Sequence, residues 1–494
     1  MRYVVLCAEK LIVLLQFVNY LFIISEVDKT EKGGTFMEIL SKIVGQLNGL
    51  LWGAPMLVLL CGTGVWYSFK TGFIQIRGFK TGWNLVFGGL FSKNKSEASE
   101  SGISSFQALA TAVAAQVGTG NLAGAATAIA VGGPGAIFWM WISAFFGMAT
   151  IYAEATMAQK YKYTDEEGKV TGGPVYYIRG AYKGTLGKVL AAAFAIFITL
   201  ALGFMGNAVQ SNSIADAFQT AFHIPGIVTG VICALVALFI FVGGIKRIAS
   251  FTEKVVPIMA VFYIIGSLIV IGINFRNIPL AFYEIVVGAF APQAIAGGVI
   301  GATMKVAMSK GVARGLFSNE AGMGSTPHAH AIAKVAHPSQ QGFVAMMGVF
   351  LDTFVILNLT ALVIITTRTL TPDGSLTGTA LTQAAFCNVF GSFGNMFIAV
   401  CMLFFAFSTI IGWYFFGEAN IKYLFGNKAV KLYGIIVCCC IILGSLAKVT
   451  LVWDMSDCFN GLMVIPNLIG LLALTNQVVD VKNDYYDNFL KKDK

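Results

Sequence analysis

The chain has 494 residues, of which 57% are hydrophobic and 12% are charged, and its formal net charge is +9. Apolar runs of about 20 residues recur along it, which is the length that an α-helix needs to cross the hydrocarbon core of a bilayer. No hydrophilic stretch is long enough to fold alone, so the composition excludes an ordinary soluble protein. The sequence predicts an all-α polytopic membrane protein.

The amino-terminal segment, residues 1–36, is the hardest part of the chain to interpret. Its run KLIVLLQFVNYLFIIS is as apolar as a signal peptide or a further span, but it lacks a small-residue cleavage site and is followed by the polar EVDKTEKGGT. Two interpretations stay open: a misassigned start, with Met37 as the true first residue, or a genuine peripheral helix. We treat the segment as an amino-terminal extension.

Eleven candidate membrane spans follow the extension. They cover residues 47–69, 105–131, 135–159, 186–208, 226–244, 255–275, 282–308, 343–367, 394–417, 432–450 and 456–476. The first span is predicted to be peripheral and to lead into a cytoplasmic loop, so that residues 37–104 form one unit. The other ten spans form the core.

The basic residues predict the orientation of these spans. Lys and Arg collect in cytoplasmic loops, and here alternate connections carry 25 and 3 of them, with the other five before the first span. This split places the amino end of the core outside the cell membrane and the carboxyl-terminal tail, 481–494, in the cytoplasm. The net positive charge follows from this asymmetry and from contact with anionic lipid, and it does not indicate nucleic-acid binding.

The first core span is apolar at both ends and polar in the middle. QALATAVAAQVGTGNLAGAATAIAV, residues 107–131, has no charged side chain, yet its centre combines glycines with amide and hydroxyl side chains. Those central residues are Gln116, Gly118, Thr119, Gly120 and Asn121. A helix can unwind inside a membrane only where its freed backbone groups meet protein, water or a ligand. Glycines that allow close helix packing would not explain the adjacent Asn and Gln.

The seventh span, 282–308, is interrupted as well, by Pro292 and by glycines at 297, 298 and 301. Ten core spans divide into two units of five, 105–281 and 282–480, and an odd number of crossings gives the two units opposite orientations. Paired interrupted helices at the heads of two such units are the sequence pattern of an inverted repeat with a transport site near the membrane midplane.

Several motifs resemble those of one transporter family. GGPGAIFWMWISAFFG, 132–147, resembles the signature of the alanine/glycine:cation symporters, the sodium:alanine symporter family, and VGTGNLAG, RGLFSNEAGMGS, FLDT and STIIGW resemble further segments in the same order. The similarity runs from about Met37 to about residue 480. It implies a leucine-transporter-like core that imports small neutral amino acids, alanine and glycine, with Na⁺ as the coupling ion and no other cofactor.

The broken span suggests how one site binds both solutes. Freed N–H groups at the start of a half-helix suit a substrate carboxylate, and freed carbonyls suit Na⁺. Adjacent hydroxyls in the ninth span would complete the cation site, and an indole one turn later would exclude side chains larger than methyl. The predicted substrate-binding residues are Gln116, Gly118, Thr119, Gly120, Asn121, Thr409 and Trp413. The predicted Na⁺ ligands are Ser408, Thr409, Gln116 and Gly118, with Asp352 as a further candidate.

Other ionisable residues in the spans receive structural interpretations. Asp352 either binds a cation or anchors a polar network, and the network is favoured. Glu154 and Glu418 are expected to lie near cytoplasmic helix ends, where they can reach water or a Lys side chain. His328 and His330 are two residues apart with no adjoining Cys or acid cluster, so a metal site there is disfavoured.

Two alternative functions are weighed against symport driven by Na⁺. One is a proton-coupled amino-acid carrier. The other is a membrane enzyme, which would require a nucleophile, an acid–base pair or a metal cluster at one depth, and none is visible in the sequence. A channel fits less well than alternating access, because the site is built to bind an amino acid and an ion together.

Overall fold

The structure is a computed structural model that describes residues 31–88, 103–164, 168–291, 303–371, 373–446 and 450–492. Helices account for most of these residues. Two short antiparallel strands, β1 (Tyr163–Thr164) and β2 (Val170–Thr171), form a hairpin beyond one helix end. The prediction of an all-α polytopic membrane protein is confirmed.

The amino-terminal unit is a bent helix pair followed by short helices. It comprises α1 (Glu31–Leu51), α2 (Ala54–Thr71), α3 (Ile74–Arg77), α4 (Phe79–Trp83) and a π-helical turn (Asn84–Gly88). The chain bends by 41° between the two long helices. The first of them packs against a helix near the carboxyl end of the chain, and the second packs against the helix that follows the first broken span.

The first part of the core begins at a capping box, in which Ser104 and Gln107 each bond the other's backbone N–H. Its elements are α5 (Ser105–Gln116), a π-helical turn (Gly120–Gly124), α6 (Ala125–Gly132), α7 (Gly135–Lys160), α8 (Pro174–Ala181), α9 (Gly184–Ile198), a π-helical stretch (Thr199–Gly206), α10 (Asn207–Phe222), α11 (Gly226–Val242) and α12 (Gly244–Ile273). The predicted break in the first core span is present between α5 and α6.

The second part of the core follows a 3-10 turn (Phe275–Asn277). Its elements are α13 (Ile278–Phe290), α14 (Met304–Asn319), α15 (Pro327–Ala331), α16 (Pro338–Val349), a π-helical stretch (Phe350–Leu357), α17 (Asn358–Thr366), α18 (Gly378–Phe390), α19 (Phe393–Phe425), a 3-10 turn (Asn427–Ala429), α20 (Val430–Gly444), α21 (Thr450–Ala473), α22 (Thr475–Asp484), a π-helical turn (Tyr485–Phe489) and α23 (Leu490–Lys492).

Within the described residues, seven helices are long and apolar enough to cross a membrane, and the bent pair at the amino end makes eight. Two further apolar helices, Gly120–Gly132 and Gly226–Val242, are shorter. One long span, Gly184–Phe222, continues well past the predicted end at residue 208, because a π-helical stretch joins α9 and α10 without a break. The count of eleven spans and the inverted repeat remain predictions.

The structure describes only the two ends of the predicted seventh span, 282–308, and α14 continues to Asn319, past the predicted end. The proposed interruptions, Pro292 and the glycines at 297, 298 and 301, lie outside the described residues. A break that the structure does describe comes later, between α14 and α15, where the linker Glu320–Thr326 is not helical. Gly322 and Gly324 adopt positive φ angles of 91° and 78° there, which terminates helical geometry at little steric cost.

This second break corrects the interpretation of the basic residues from 305 to 334. Lys305, Lys310 and Arg314 lie on α14, which packs against α6, whereas Lys334 follows α15, which packs against α5. These four residues therefore do not share one cytoplasmic loop, since α5 and α6 lie on opposite sides of the first break. Moving three residues to the other side still leaves a large excess of basic residues on the predicted cytoplasmic side.

Candidate functional site

The first break rearranges the backbone hydrogen bonds at the end of α5. In a continuous helix the N–H of Gly118 would bond to the carbonyl of Ala114, four residues earlier. Here it donates instead to Asn121 Oδ1 at 3.1 Å and to the Gln116 carbonyl at 3.0 Å. The carbonyl oxygen of Ala114 is thereby released from the helix ladder.

A residue that the sequence analysis missed holds the other side of the break. The N–H of Thr119 donates to Gln210 Oε1 on α10 at 3.2 Å. Gln210 Nε2 and Thr119 Oγ1 are buried and have no hydrogen-bond partner within the described residues. The predicted fourth span stopped at residue 208, although the polar run QSNS that begins at Gln210 was a visible signal. A free amide donor and a free hydroxyl therefore lie next to the unwound segment.

The two predicted hydroxyls of α19 lie against the released carbonyl. Thr409 Oγ1 is 2.9 Å from the Ala114 oxygen and 3.0 Å from the Phe405 oxygen. Ser408 Oγ is 3.4 Å from the Ala114 oxygen and 2.9 Å from the Phe405 oxygen. Four oxygens from two helices are thus gathered beside the break. The carbonyl that joins them belongs to Ala114 and not to Gln116 or Gly118, whose carbonyls accept the N–H groups of Gly118 and Asn121.

Gly118 is required by the closeness of α19. A Cβ atom at this position would lie 2.3 Å from Thr409 Oγ1 and 3.3 Å from Gln210 Oε1. Gly120 is tight as well, because its Cβ would lie 3.0 Å from the Cα of Ser318 on α14. The glycines of this break thus let three helices meet, and their φ angles are not positive.

Gln116 connects the two broken helices. Its Nε2 donates to the carbonyl oxygen of Asn319, the last residue of α14, at 2.7 Å. Its Oε1 is buried and has no partner within the described residues. No hydrogen bond in the described part of the chain joins Gln116 to Ser408 or Thr409, so its role as a cation ligand remains a prediction.

Asp352 is fully buried at the centre of a network of neutral donors. Asn121 Nδ2 donates to its Oδ1 at 2.7 Å, and Thr353 Oγ1 donates to its Oδ2 at 2.9 Å. Ser318 Oγ lies 2.9 Å and 3.1 Å from the two carboxylate oxygens. The carboxylate therefore ties the first break to the end of α14 and to the π-helical stretch after α16.

Trp413 lies beside the second break. Its indole Nε1–H donates to Glu320 Oε1 at 2.5 Å, and Ser325 Oγ donates to the other carboxylate oxygen of Glu320. The ring of Phe317 meets the indole edge to face, with centroids 5.9 Å apart. Glu320 lies in the motif RGLFSNEAGMGS, and no role was predicted for this acid.

Glu154 was expected to reach water or a Lys side chain, but among the described residues it contacts no lysine, and it is not exposed. It is fully buried, and it accepts hydrogen bonds from the Gly322 N–H at 3.0 Å and from Asn467 Nδ2 at 2.6 Å. α7 carries Glu154 past the second break, so the carboxylate binds the linker rather than the membrane surface. Glu418, by contrast, pairs with Lys422 one helical turn later.

The two histidines are buried in structural contacts. His328 Nδ1 lies 2.7 Å from the Ser325 carbonyl and its Nε2 lies 2.9 Å from Asn420 Nδ2. His330 Nδ1 lies 2.8 Å from Gln341 Oε1. These bonds fix α15 beside its neighbours, and both histidines are buried.

Comparisons with known proteins show what this chain is similar to. The model of the sodium:alanine symporter family matches residues 37–494. The sodium/alanine symporter AgcS of Methanococcus maripaludis is 45% identical over 440 residues, which are 88% of this chain and 95% of that protein. A Bacillus subtilis protein named as a probable sodium/glutamine symporter, GlnT, is 44% identical over 451 residues, 91% of each chain.

The solved structures that match show the fold. The crystal structure of MhsT in complex with L-phenylalanine aligns with a TM-score of 0.55 at 14% sequence identity, over 78% of this chain and 99% of that one. Its likeness supports the expected leucine-transporter-like architecture and carries no information on the substrate of this chain.

Proposed function

The chain belongs to the sodium:alanine symporter family, and on this premise we propose that it is a secondary active symporter that imports alanine and glycine with Na⁺ by alternating access. The family makes it a multi-pass membrane transporter and not an enzyme. The observation that carries the proposal is the cluster of four oxygens gathered where the break releases the Ala114 carbonyl.

The cation site in this proposal consists of the carbonyls of Ala114 and Phe405 and the hydroxyls of Ser408 and Thr409. Neutral oxygens of this kind at an unwound helix are what transporters of this architecture use for Na⁺. Each hydroxyl now donates to a carbonyl, and it would turn its proton away to present a lone pair to the ion. The predicted ligands Gln116 and Gly118 flank the same break, but either carbonyl would have to release the N–H group that it now accepts before it could bind the ion.

The amino acid would bind on the other side of the same break. The N–H end of the half-helix carries partial positive charge, which suits a carboxylate. Gln210 Nε2 and Thr119 Oγ1, which have no hydrogen-bond partner in the described part of the chain, would complete its binding, with Gly120 and Asn121 shaping the loop. Gln116 Oε1, which also has no partner among the described residues, would accept a hydrogen bond from the ammonium group.

Coupling follows from this shared helix. The Na⁺ oxygens and the carboxylate donors are set by one backbone rearrangement at Gly118 and Thr119, so each ligand stabilises the conformation that the other needs. Binding free energies of the two solutes must then be linked reciprocally. Alanine affinity is expected to rise with Na⁺ concentration, and Na⁺ affinity with alanine concentration.

Trp413 would limit the size of the substrate. The indole is buried between Phe317 and Gly206, where a Cβ atom on Gly206 would come within 2.5 Å of the ring. In this proposal, an aromatic wall one turn beyond Thr409 would admit a methyl group and exclude a branched side chain. Replacing Trp413 with Leu is expected to let valine and leucine compete with alanine.

Asp352 is proposed to anchor the network around the break rather than to bind Na⁺. Its two oxygens already accept bonds from Asn121, Ser318 and Thr353, and a cation would have to displace these donors. The network holds the two broken helices together. An ion bound at the first break also depends on this arrangement of the two helices.

Orientation and repeat organisation complete the proposal. The charge split, less the three residues of α14, favours a cytoplasmic carboxyl terminus in the plasma membrane, and residues 105–281 and 282–480 would be the two inverted units. The breaks that follow α5 and α14 contact each other through Gln116 and Asn319. Cysteine labelling of the segment from Lys160 to Lys188 from outside the cell would contradict this orientation.

Uptake into proteoliposomes tests the function directly. Labelled alanine or glycine should accumulate with an inward Na⁺ gradient and not when K⁺ replaces Na⁺. Accumulation driven by an inward proton gradient without Na⁺ would instead establish the proton-coupled carrier, and chemical conversion of the amino acid would establish an enzyme. Counterflow of labelled alanine separates a carrier from a channel.

A further inference from the structure

Glu320 occupies an unusual place in the backbone. It follows the last residue of α14 with φ = 57°, a left-handed conformation that residues with a Cβ atom seldom adopt. Its side chain is fully buried. A residue kept in such a conformation indicates that surrounding contacts determine its position.

The contacts of the carboxylate are with neutral donors. One oxygen accepts the indole N–H of Trp413 at 2.5 Å, and the other accepts the hydroxyl of Ser325. None of the ion pairs found among the described residues involves Glu320. A buried carboxylate concentrates its charge on these two bonds, and charge-assisted hydrogen bonds are stronger than neutral ones.

Two other contacts of Trp413 hold the indole ring but do not set the direction of its N–H group. Gly206 lies against the atom Cζ3 of the indole, and the ring of Phe317 is nearly perpendicular to it, with an interplanar angle of 85°. Both are apolar contacts, and neither fixes the direction of the N–H group. The hydrogen bond to Glu320 is the directional contact that holds the indole to the linker of the second break.

We propose that Glu320 is a positioning residue that sets the size limit of the substrate pocket by holding the Trp413 indole in place. The inference rests on the proposed function, in which Trp413 borders the pocket. A larger amino acid would have to shift the indole and stretch or break this bond. Selectivity would therefore depend on an acid that need not touch the substrate.

Competition against labelled alanine uptake tests the idea in the full-length protein. In Glu320→Ala the indole loses its anchor, and the inhibition constant of valine relative to that of alanine should fall by about tenfold. Glu320→Gln keeps an acceptor oxygen for the indole, and the hydroxyl of Ser325 can accept from the new amide. This variant should retain most of the discrimination.

Trp413→Phe tests the hydrogen bond without a substitution in the linker. It removes the donor and keeps an aromatic ring, so valine should compete better even if Glu320→Ala proves too unstable to purify. Adding Glu320→Ala to Trp413→Phe should then change the selectivity ratio by less than about twofold, because the coupling is already lost. Independent effects of the two substitutions would overturn the proposal.

Glu154→Ala is the matched control. Glu154 is another buried acid bound to the same linker, but its partners are Gly322 and Asn467 and not the indole. Glu154→Ala should lower uptake without changing the ratio of the inhibition constants of valine and alanine. An equal change of that ratio in Glu154→Ala and Glu320→Ala would show that the linker fold alone governs selectivity, and would overturn the proposal.

A spectroscopic measurement keeps this inference separate from the proposed function. In purified protein labelled with ¹⁵N at the indole nitrogens, the Trp413 signal is identified by its loss in Trp413→Phe. Glu320→Ala should shift this signal and speed its hydrogen exchange, whereas Glu154→Ala should leave it in place. The signal reports the bond whether or not Na⁺ drives alanine uptake. An unchanged Trp413 signal in Glu320→Ala would overturn the proposal.

Discussion

The two helix breaks of this protein are built differently. The first, around Gly118, leaves three buried polar atoms without partners within the described residues: Gln116 Oε1, Thr119 Oγ1 and Gln210 Nε2. In the second break, the N–H of Gly322 donates to Glu154 and its carbonyl accepts from Asn467. Among the side chains of the linker Glu320–Thr326, the Thr326 hydroxyl has no partner in the part of the chain that the structure describes. Polar groups without partners can bind a ligand, whereas groups that already have partners stabilise the structure around the site.

The glycines of the two breaks differ in the same sense. Gly118 provides the space that lets α19 approach the unwound segment, and it needs no left-handed backbone. Gly322 and Gly324 adopt positive φ angles, and a Cβ on Gly324 would also meet Asn467 at 2.8 Å. The first break thus depends on contact with another helix, whereas the second depends on the conformation of its own chain.

Gly118→Ala should have the largest effect on the first break. The added methyl group would collide with Thr409 Oγ1, and overpacking of this kind costs about 1–3 kcal/mol, so alanine uptake should fall by at least about fivefold. Gly124→Ala is the control, since the nearest atom to its Cβ is 3.8 Å away. Normal uptake by Gly118→Ala would show that α19 does not need this close contact.

Thr409→Ala should act through Na⁺. Losing a charge-assisted contact costs about 1.5–3 kcal/mol, which raises the Na⁺ concentration for half-maximal alanine binding roughly ten- to a hundredfold. Ser408→Ala should do less, because Ser408 lies 3.4 Å from the Ala114 oxygen. A folded Thr409→Ala protein with unaltered Na⁺ dependence would reduce both hydroxyls to ordinary helix residues bonded to Phe405.

Gln210→Glu tests the free donor of the first break. The new side chain has the same shape and can still accept the N–H of Thr119. It offers no amide donor, however, and it adds negative charge near the proposed position of the substrate carboxylate. Alanine affinity should fall by about tenfold or more, while Na⁺ still raises the melting temperature of the purified protein. Unchanged alanine affinity would place the substrate elsewhere.

Asn467→Ala probes the second break, where stability rather than ligand affinity should change. It leaves Glu154 Oε1 and the Gly322 carbonyl without the amide donor, and an unsatisfied buried group costs about 1–3 kcal/mol. The melting temperature in detergent should fall by roughly a few degrees, with little change in the Na⁺ concentration for half-maximal binding. A shift of that concentration as large as in Thr409→Ala would remove the distinction between the breaks.

The smallest effect is expected outside both breaks. A variant that starts at Met37 should insert and take up alanine at the normal rate, because the family match also begins at residue 37. Loss of transport by a properly inserted Met37 variant would show that residues 1–36 contribute to the core. Quantifying the inserted protein by immunoblot provides the control.

Local sequence was enough to predict the all-α membrane fold, the first break and the family. Gly118, Thr119 and Gly120 interrupt an apolar run. Because backbone groups released from a helix in lipid need other hydrogen-bond partners, the break can be predicted from the local sequence alone. Ser408 and Thr409 were also recognisable, as adjacent hydroxyls in an apolar helix. The carbonyl oxygen that these hydroxyls contact could not be predicted from the sequence.

Tertiary packing decided the contacts between distant segments. The Ala114 carbonyl, Gln210 and Glu320 became site candidates only when α5, α10, α14 and α19 were brought together, because hydrogen bonds between residues about 90 to 300 positions apart leave no period in the sequence. Glu154 illustrates the same limit: its position near a helix end indicated an exposed acid, whereas packing of α7 against the second break buried it and gave it Gly322 and Asn467 as partners.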